Sequence, residues 1–314
     1  MIKGLLTVLL VVSCVSAPAA ETYEIERWAV GAVGLGWAGF GAALAGPTEY
    51  LINPAGLGNA ERTEIAGTYV PDFEDRLTPC FGASVIKPMR TESASLGEER
   101  TLGTLAVSLY NYSYTVTHSW PDPYPSASRD PQPVGWSYEF AEESLACVSF
   151  GSRASDLVSY GLNLKVLAVE KDGRADSGFG LDAGVQLYPG DFRVGLCISN
   201  LIPPGVSFTD GRSFAERVLR LGAGYSLSGI FDIAAELEYL PGADELDYGL
   251  CAEVVPLNLD EVRIALGGAY RVVEELWGGF LSLRLGVFEA TCTVQLDGAV
   301  LSGSSLRFAL SPDI

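Results

Sequence analysis

The sequence predicts an all-β chain, folded as a closed antiparallel transmembrane β-barrel of about fourteen strands. Three observations carry that prediction. Apolar and polar residues alternate with period two along most of the chain. The alternating stretches are mostly about 9 to 11 residues long, the length a tilted membrane strand needs, where ordinary sandwich strands use about 5 or 6. The composition is apolar for a β-rich protein, with 48% hydrophobic residues and a mean hydropathy of +0.24.

The N-terminus comes first. Lys3 precedes an apolar run from Leu5 to Val12, and small residues follow as far as Ala20. This is the layout of a secretory signal, with Ala17-Pro18-Ala19 as an A-x-A site and cleavage before Ala20. A lipoprotein signal, Val11-Val12-Ser13-Cys14 with Cys14 acylated, is the alternative. Past this segment no apolar run approaches the roughly 20 residues of a membrane-spanning helix, so any crossing falls to strands closed into a ring. The expected organisation is a signal peptide at 1–19, an N-terminal segment at 20–60 and a barrel at 61–314.

The strands follow in order from Thr63 to Leu310. Tyr160, Leu162, Leu164 and Val166 alternate with Ser159, Asn163 and Lys165. Phe179, Leu181, Ala183, Val185 and Leu187 alternate with Gly180, Asp182, Gly184 and Gln186. The pattern returns around Leu196, Leu221, Leu237, Leu250, Ile264 and Leu283. Tight connections are expected at 154–156, 189–190, 227–229 and 258–259, and longer ones at 117–135, 171–176 and 202–216. Short turns on one rim and long loops on the other are the membrane-barrel pattern. The connection at 87–102 departs from it, being too long for the tight rim.

Alternation alone does not say which face looks inward. A soluble or lipid-anchored β-sandwich would bury the apolar face. Lipid outside is favoured because Tyr160, Tyr225, Tyr239, Tyr248 and Tyr270 share the apolar face near strand ends, as in an interfacial girdle. The opposite face mixes small residues with charges of both signs. Lys165, Asp182, Arg193, Arg220, Glu236, Glu253, Arg263, Arg284 and Arg307, with Glu238 and Asp247, are therefore expected to face one another across the lumen. Such a lattice fills an interior and can also set selectivity.

Composition excludes several functions. A formal net charge of −19 repels nucleic acid and anionic lipid. Cys80, Cys147, Cys197, Cys251 and Cys292 are far apart and lack a C-x-x-C pair, which argues against a zinc site or a disulfide framework. His118 is the only histidine, and no G-x-S-x-G accompanies it. Gly34-Leu35-Gly36-Trp37-Ala38-Gly39 matches G-x-G-x-x-G in letters only, since no βαβ unit surrounds it. Neither a catalytic site nor a cofactor is expected. The Pro-rich loop 117–135, carrying Trp120 and Tyr124 and followed by Trp136, is the candidate contact for an external ligand or partner.

One stretch has a recognisable pattern. Gly31-Ala32-Val33-Gly34-Leu35-Gly36-Trp37-Ala38-Gly39-Phe40-Gly41-Ala42-Ala43-Leu44-Ala45 leads into Tyr50-Leu51-Ile52-Asn53-Pro54-Ala55-Gly56-Leu57. These residues, together with Gly195 to Leu201, resemble the PorV/PorQ family of outer-membrane proteins, which is related to the FadL-like long-chain fatty-acid transporters. The resemblance implies a fourteen-stranded barrel in a bacterial outer membrane, with the N-terminal Gly/Ala-rich segment, residues 20–60, as a plug in or under its lumen. Some members move hydrophobic small molecules and others serve protein secretion. The expected partners are thus outer-membrane lipid and either a hydrophobic or amphipathic small molecule or a secreted protein, with the barrel acting as a monomer. Gly46-Pro47-Thr48-Glu49 and the terminal Ile314 depart from the family pattern. Physically, Pro54 holds Asn53 extended, Gly56 eases a turn, and Asn53 can cap freed backbone groups across Asn53, Pro54, Ala55, Gly56 and Leu57.

Overall fold

Alternation along the chain becomes curvature and closure in space. In the computed structural model the described residues are 20–21, 25–26, 41–44, 46–71, 80–92, 99–119, 136–171, 173–208, 211–228, 230–259, 261–297 and 300–312. The expected signal peptide, Cys14, most of the Gly/Ala-rich stretch, Trp120, Tyr124, Ile314 and the side chains of His118 and Trp136 lie outside them.

Among the described residues seventeen strands follow in chain order. A two-residue β1 (Ala20–Glu21) is followed by β2 (Glu64–Val70), β3 (Cys80–Glu92), β4 (Glu99–Ser119), β5 (Trp136–Ser155) and β6 (Val158–Lys171). Next come β7 (Arg174–Leu187), β8 (Phe192–Ile202), the short β9 (Gly205–Phe208) and β10 (Gly211–Ala215), and β11 (Val218–Leu227). The last six are β12 (Phe231–Leu240), β13 (Glu245–Asn258), β14 (Val262–Arg271), β15 (Leu276–Leu285), β16 (Phe288–Asp297) and β17 (Val300–Leu310). Fourteen of these close into one antiparallel barrel, with β8 joined to β11 and β17 joined back to β2. Closure removes the open edges that a long antiparallel sheet would expose, and it rules out the sandwich. β9 and β10 form a separate hairpin that pairs with β1.

Outward-facing positions are apolar. Phe179 is 71% exposed, Leu164 55% and Leu221 49%, while their neighbours Gly180, Asn163 and Gly222 are buried. Tyr160 and Tyr248 share the exposed face. A surface of this kind is stable only under hydrocarbon, so the barrel is a transmembrane one. No helix among the described residues is long and apolar enough to cross a membrane.

The connections refine the expected rim pattern. β5–β6, β7–β8, β11–β12, β13–β14 and β15–β16 meet at one rim in short turns. The 171–176 connection is not long: β6 and β7 stay paired out to Lys171↔Arg174. Gly173 accounts for this, because it takes φ +67°, the positive φ that tight hairpin turns favour. The far-rim connections 240–245, 271–276 and 297–300 are short as well, so the asymmetry between rims is confined to one side of the barrel. The 202–216 stretch is long but ordered as the β9–β10 hairpin. At 87–102 both strands extend beyond the expected length, with β3 and β4 paired as far as Glu92↔Glu99.

Candidate functional site: the filled lumen

Local backbone chemistry shapes residues 46–60. Ile52 and Asn53 both donate backbone N–H to the Glu49 carbonyl, at 2.9 and 3.2 Å. Asn53 is extended (φ −139°, ψ 105°), as the following proline requires. Its side chain accepts from the Ala55 N–H at 3.1 Å and donates to the Ala42 carbonyl at 2.7 Å. Pro54–Asn59 then form a short 3-10 helix in which Pro54, Ala55, Gly56 and Leu57 are buried.

This turn lies inside the barrel on a strip of wall without side chains. Gly151, Gly161 and Gly184 are in register across β5, β6 and β7. A Cβ at Gly151 would stand 2.6 Å from the Leu57 Cβ, and one at Gly161 or Gly184 would overlap the Pro54 carbonyl or the Asn53 side chain. On β8, Gly195 gives the same clearance to the Ala42 carbonyl. Polar side chains beside the strip bind the segment's backbone. Asn163 donates to the Tyr50 carbonyl at 3.1 Å, Gln186 to the Ala42 and Ala43 carbonyls at 3.1 and 3.2 Å, and Cys197 Sγ to the Ile52 carbonyl at 2.7 Å. Tyr188 completes the contact by accepting from Asn59 at 2.6 Å and donating to Gln186 at 2.7 Å. Sequence reasoning singled out the Asn53–Leu57 turn but missed its glycine seat. The available signal was positional: on each of these strands the glycine sits at a matching distance from its tight turn.

The charged residues pair with neighbours along the wall, or with Glu26 of the N-terminal segment, and not across the lumen. Lys165 contacts Glu26 at 2.5 Å and Asp182 at 3.0 Å. Arg220 contacts Glu238 at 2.6 Å. Arg271, absent from the expected set, holds Glu238 at 2.6 Å and Asp247 at 2.7 Å. Arg263 pairs with Glu253 at 2.8 Å, and Arg193 reaches Asp232 only at 4.0 Å. Arg307 is bound to Glu64 and lies 3.9 Å from Glu289. Glu236 differs from expectation: it accepts the backbone N–H groups of Gly41 and Ala42 at 2.9 and 2.6 Å. Arg284 makes no ion pair within 4 Å among the described residues and lines a cavity.

The interior is also divided by height. Toward the far rim the inward-facing wall of β2–β6 is mostly apolar: Val70, Cys80, Tyr110, Tyr112, Leu145, Leu167 and Val169 pack around Ile25, Val206 and Ala215, with the Glu143 carboxylate accepting from the Ile25 N–H at 2.8 Å. That apolar patch is a correction to the inner face of small residues and mixed charges expected from the sequence. Toward the tight-turn rim lies a cavity of about 380 Å³, bordered by residues 44–64 on one side and by strands such as β13–β16 on the other. Glu49 lines it with a buried carboxyl that accepts from the Gly46 N–H at 3.0 Å and from the Thr48 hydroxyl. Burial pushes its pKa up to about 7, against the lowering effects of the Thr48 hydrogen bond and the Arg307 charge. Among the described residues no group of His, Cys, Asp and Glu is placed to hold a metal ion.

These features define a class of protein, a closed fourteen-stranded membrane barrel with residues 41–60 bonded to its inner wall. Its fold is that of the hydrocarbon channels and FadL homologues among solved structures. The Pseudomonas putida toluene transporter TodX superposes with a TM-score of 0.60 at 10% identity, covering 90% of this chain and 98% of that one. The Ralstonia pickettii toluene transporter TbuX gives 0.58 at 12% identity, covering 89% and 96%. A Pseudomonas aeruginosa FadL homologue gives 0.53 at 10% identity, covering 90% and 97%. Residues 153–239 match the family described as the F plasmid transfer operon, TraF, protein. No curated protein matches the sequence.

Proposed function

We propose that this chain is a bacterial outer-membrane barrel that gives hydrophobic or amphipathic small molecules passage, with residues 20–60 as its plug. The observation that carries the reading is the apolar inner wall of β2–β6 toward the far rim, where Tyr110, Tyr112, Leu145, Leu167 and Val169 face inward. A water-filled porin lines its lumen with polar groups; an apolar lining suits molecules that leave water willingly. The toluene transporters of the same fold support this assignment. Export by cleavage of residues 1–19, membership of the PorV/PorQ family on the pattern from Gly31 to Leu57, and action as a monomer belong to the same proposal. The deciding experiment is uptake of labelled toluene by cells lacking their own hydrocarbon channel, with and without this barrel in the outer membrane. A several-fold rise in initial rate is expected. An unchanged rate, with folded barrel present in the outer membrane, overturns the proposal.

A second reading has one observation in its favour. The match of residues 153–239 to a plasmid-transfer family fits a barrel that holds protein partners for secretion. A partner that copurifies stoichiometrically, together with no toluene uptake, would select it.

A further inference from the structure

Strand β4 outruns its neighbours at both rims. At the tight-turn rim its register with β5 begins at Thr104↔Gly151, while β3 follows it to Glu92↔Glu99. At the far rim its register with β3 ends at Phe81↔Asn111, while β5 follows it to Ser119↔Trp136. β6 leaves β5 at Ala141↔Lys171. Residues 114–119 and 136–140 therefore form a two-stranded ribbon beyond the ring, with no described strand in register on either outer side.

The two overhangs differ in kind. The one at the tight-turn rim carries devices that keep an edge from recruiting another strand. These are Lys87, Pro88 and Arg90 on β3, an irregularity between Met89 and Arg90, and Gly103 at φ +150°. Arg90 also donates to the Glu61 carbonyl, which ties the incoming chain to that side. At the far rim the same strand has none of this protection. Residues 114–119 and 136–140 hold no proline, lysine or arginine, and the β4–β5 ladder runs there without a shift in register. Tyr, Thr, Val, Trp and Phe predominate, all of them strand formers.

Two strands alone are marginal in water, and a third stabilises them. The adjoining stretches of the chain are poorly suited to that role. Residues 71–79 begin and end with proline, and 120–135 contain five prolines, each without the N–H that a ladder strand donates. The ribbon also stands clear of the hydrocarbon. Leu105, Val107 and Leu109 are exposed on the outer face of β4, and past them Asn111 donates to Glu142 at 2.6 Å, a polar level that ends the apolar band. In an outer-membrane barrel the rim with the longer loops faces the cell exterior.

We propose that the edge of β4 at residues 114–119 is a docking site for an extended segment of another polypeptide at the cell surface, added to the ribbon as a third strand. Main-chain hydrogen bonds hold it along an edge of about 20 Å. Thr115, Thr117 and Ser119 alternate with Tyr114, Val116 and His118, so a strand alternating Thr or Ser with Val or Tyr matches the edge. The partner segment is neutral or basic, because Glu139 is the charged residue of the ribbon and the chain carries a net charge of −19. The inference is independent of whether hydrophobic molecules pass through the lumen.

Fluorescence anisotropy of the labelled peptide Lys-Thr-Val-Thr-Tyr-Thr-Val-Lys, titrated with the full-length barrel in nonionic detergent, tests the edge. Saturable binding is expected, about tenfold weaker for the same peptide N-methylated at alternate residues, the effect of losing a pair of ladder hydrogen bonds. Hydrogen exchange of the 114–119 amides should slow when the peptide is added, with the 104–110 amides unchanged. Val116 and Thr117 direct their N–H groups to opposite sides of β4, so one of Val116→Pro and Thr117→Pro removes an edge donor and the other a donor to β5. Both should weaken binding, and a heat-dependent gel shift verifies that each barrel is folded. Equal binding of the two peptides, unchanged exchange at 114–119, or wild-type affinity in both proline variants overturns the proposal. Protection of 114–119 without peptide, in a barrel that runs as a dimer, overturns the foreign partner in favour of a second copy. Peptide binding without toluene uptake rejects the passage alone, and uptake without peptide binding rejects the docking edge alone.

Discussion

Gly161 has the Pro54 carbonyl where a side chain would begin. Neither neighbour yields easily, since one atom is backbone and the other strand is held by its ladder. Gly161→Val is therefore expected to expel residues 53–57 from their seat, at about 1 to 3 kcal/mol of overpacking. Hydrogen exchange should show faster exchange at the Ile52 and Asn53 amides while the barrel ladder keeps its protection; unchanged protection of those amides would refute the seat. Glu49 supplies a prediction in pH. Its pKa is raised in the packed state from 4.5 to about 7, so the packed turn favours the protonated carboxyl. The stabilisation is full below about 4.5 and is lost as pH rises through about 7. The charges bearing on this carboxyl, Arg307 and Glu253, do not themselves reverse that direction. Protection of the 46–53 amides, corrected for intrinsic exchange, should thus fall between pH 5 and pH 8, and Glu49→Gln should remove the dependence. At this scale the sequence was legible where a residue's chemistry is local. Asn53 before Pro54 announces an extended capping residue, whereas Glu236 reads as one more luminal charge because its partners, the Gly41 and Ala42 amides, are nearly two hundred positions away.

Strands carry the clearest record of the fold. On β6 and β11 a strict alternation places Leu164 and Leu221 outward, and both are about half exposed. Leu164→Arg or Leu221→Arg should reduce insertion by about 2 to 4 kcal/mol if these positions sit at mid-membrane. Quantifying folded barrel in vesicles across a urea series measures it, and wild-type midpoints for both variants would remove these strands from the lipid face. What alternation did not disclose is a change of character along a single face. On β6 the inward residues run Ser159, Gly161, Asn163, Lys165, then Leu167 and Val169; the face turns from polar to apolar with height, and a period-two reading averages over height. The 171–176 connection was misjudged for a similar reason: polar residues near a rim look like a loop, yet a strand beyond the hydrocarbon is also free to be polar on both faces.

For the whole molecule, closure is the property to measure. Unboiled protein extracted from membranes should migrate differently from boiled protein on a gel, and extraction should require detergent; release into buffer with no shift is incompatible with the ring of fourteen strands. The barrel class followed from strand number and hydropathy, which are global and additive. The packing of the N-terminal segment did not, because it depends on which strands become neighbours.

Closure also fixes an order of events. The ladder between β17 and β2 runs only from Leu306↔Tyr69 to Leu310↔Ile65 among the described residues, and its partners are separated by almost the whole chain. Loop closure over such a separation comes late and slowly, whereas the hairpin from β6 to β7, paired to its tip, can form as soon as its own residues are available. Assembly should proceed as a growing curved ribbon whose two margins meet last, with the N-terminal segment already threaded on the concave side. A folding intermediate captured before that meeting would carry an intact glycine seat and a single unzipped seam.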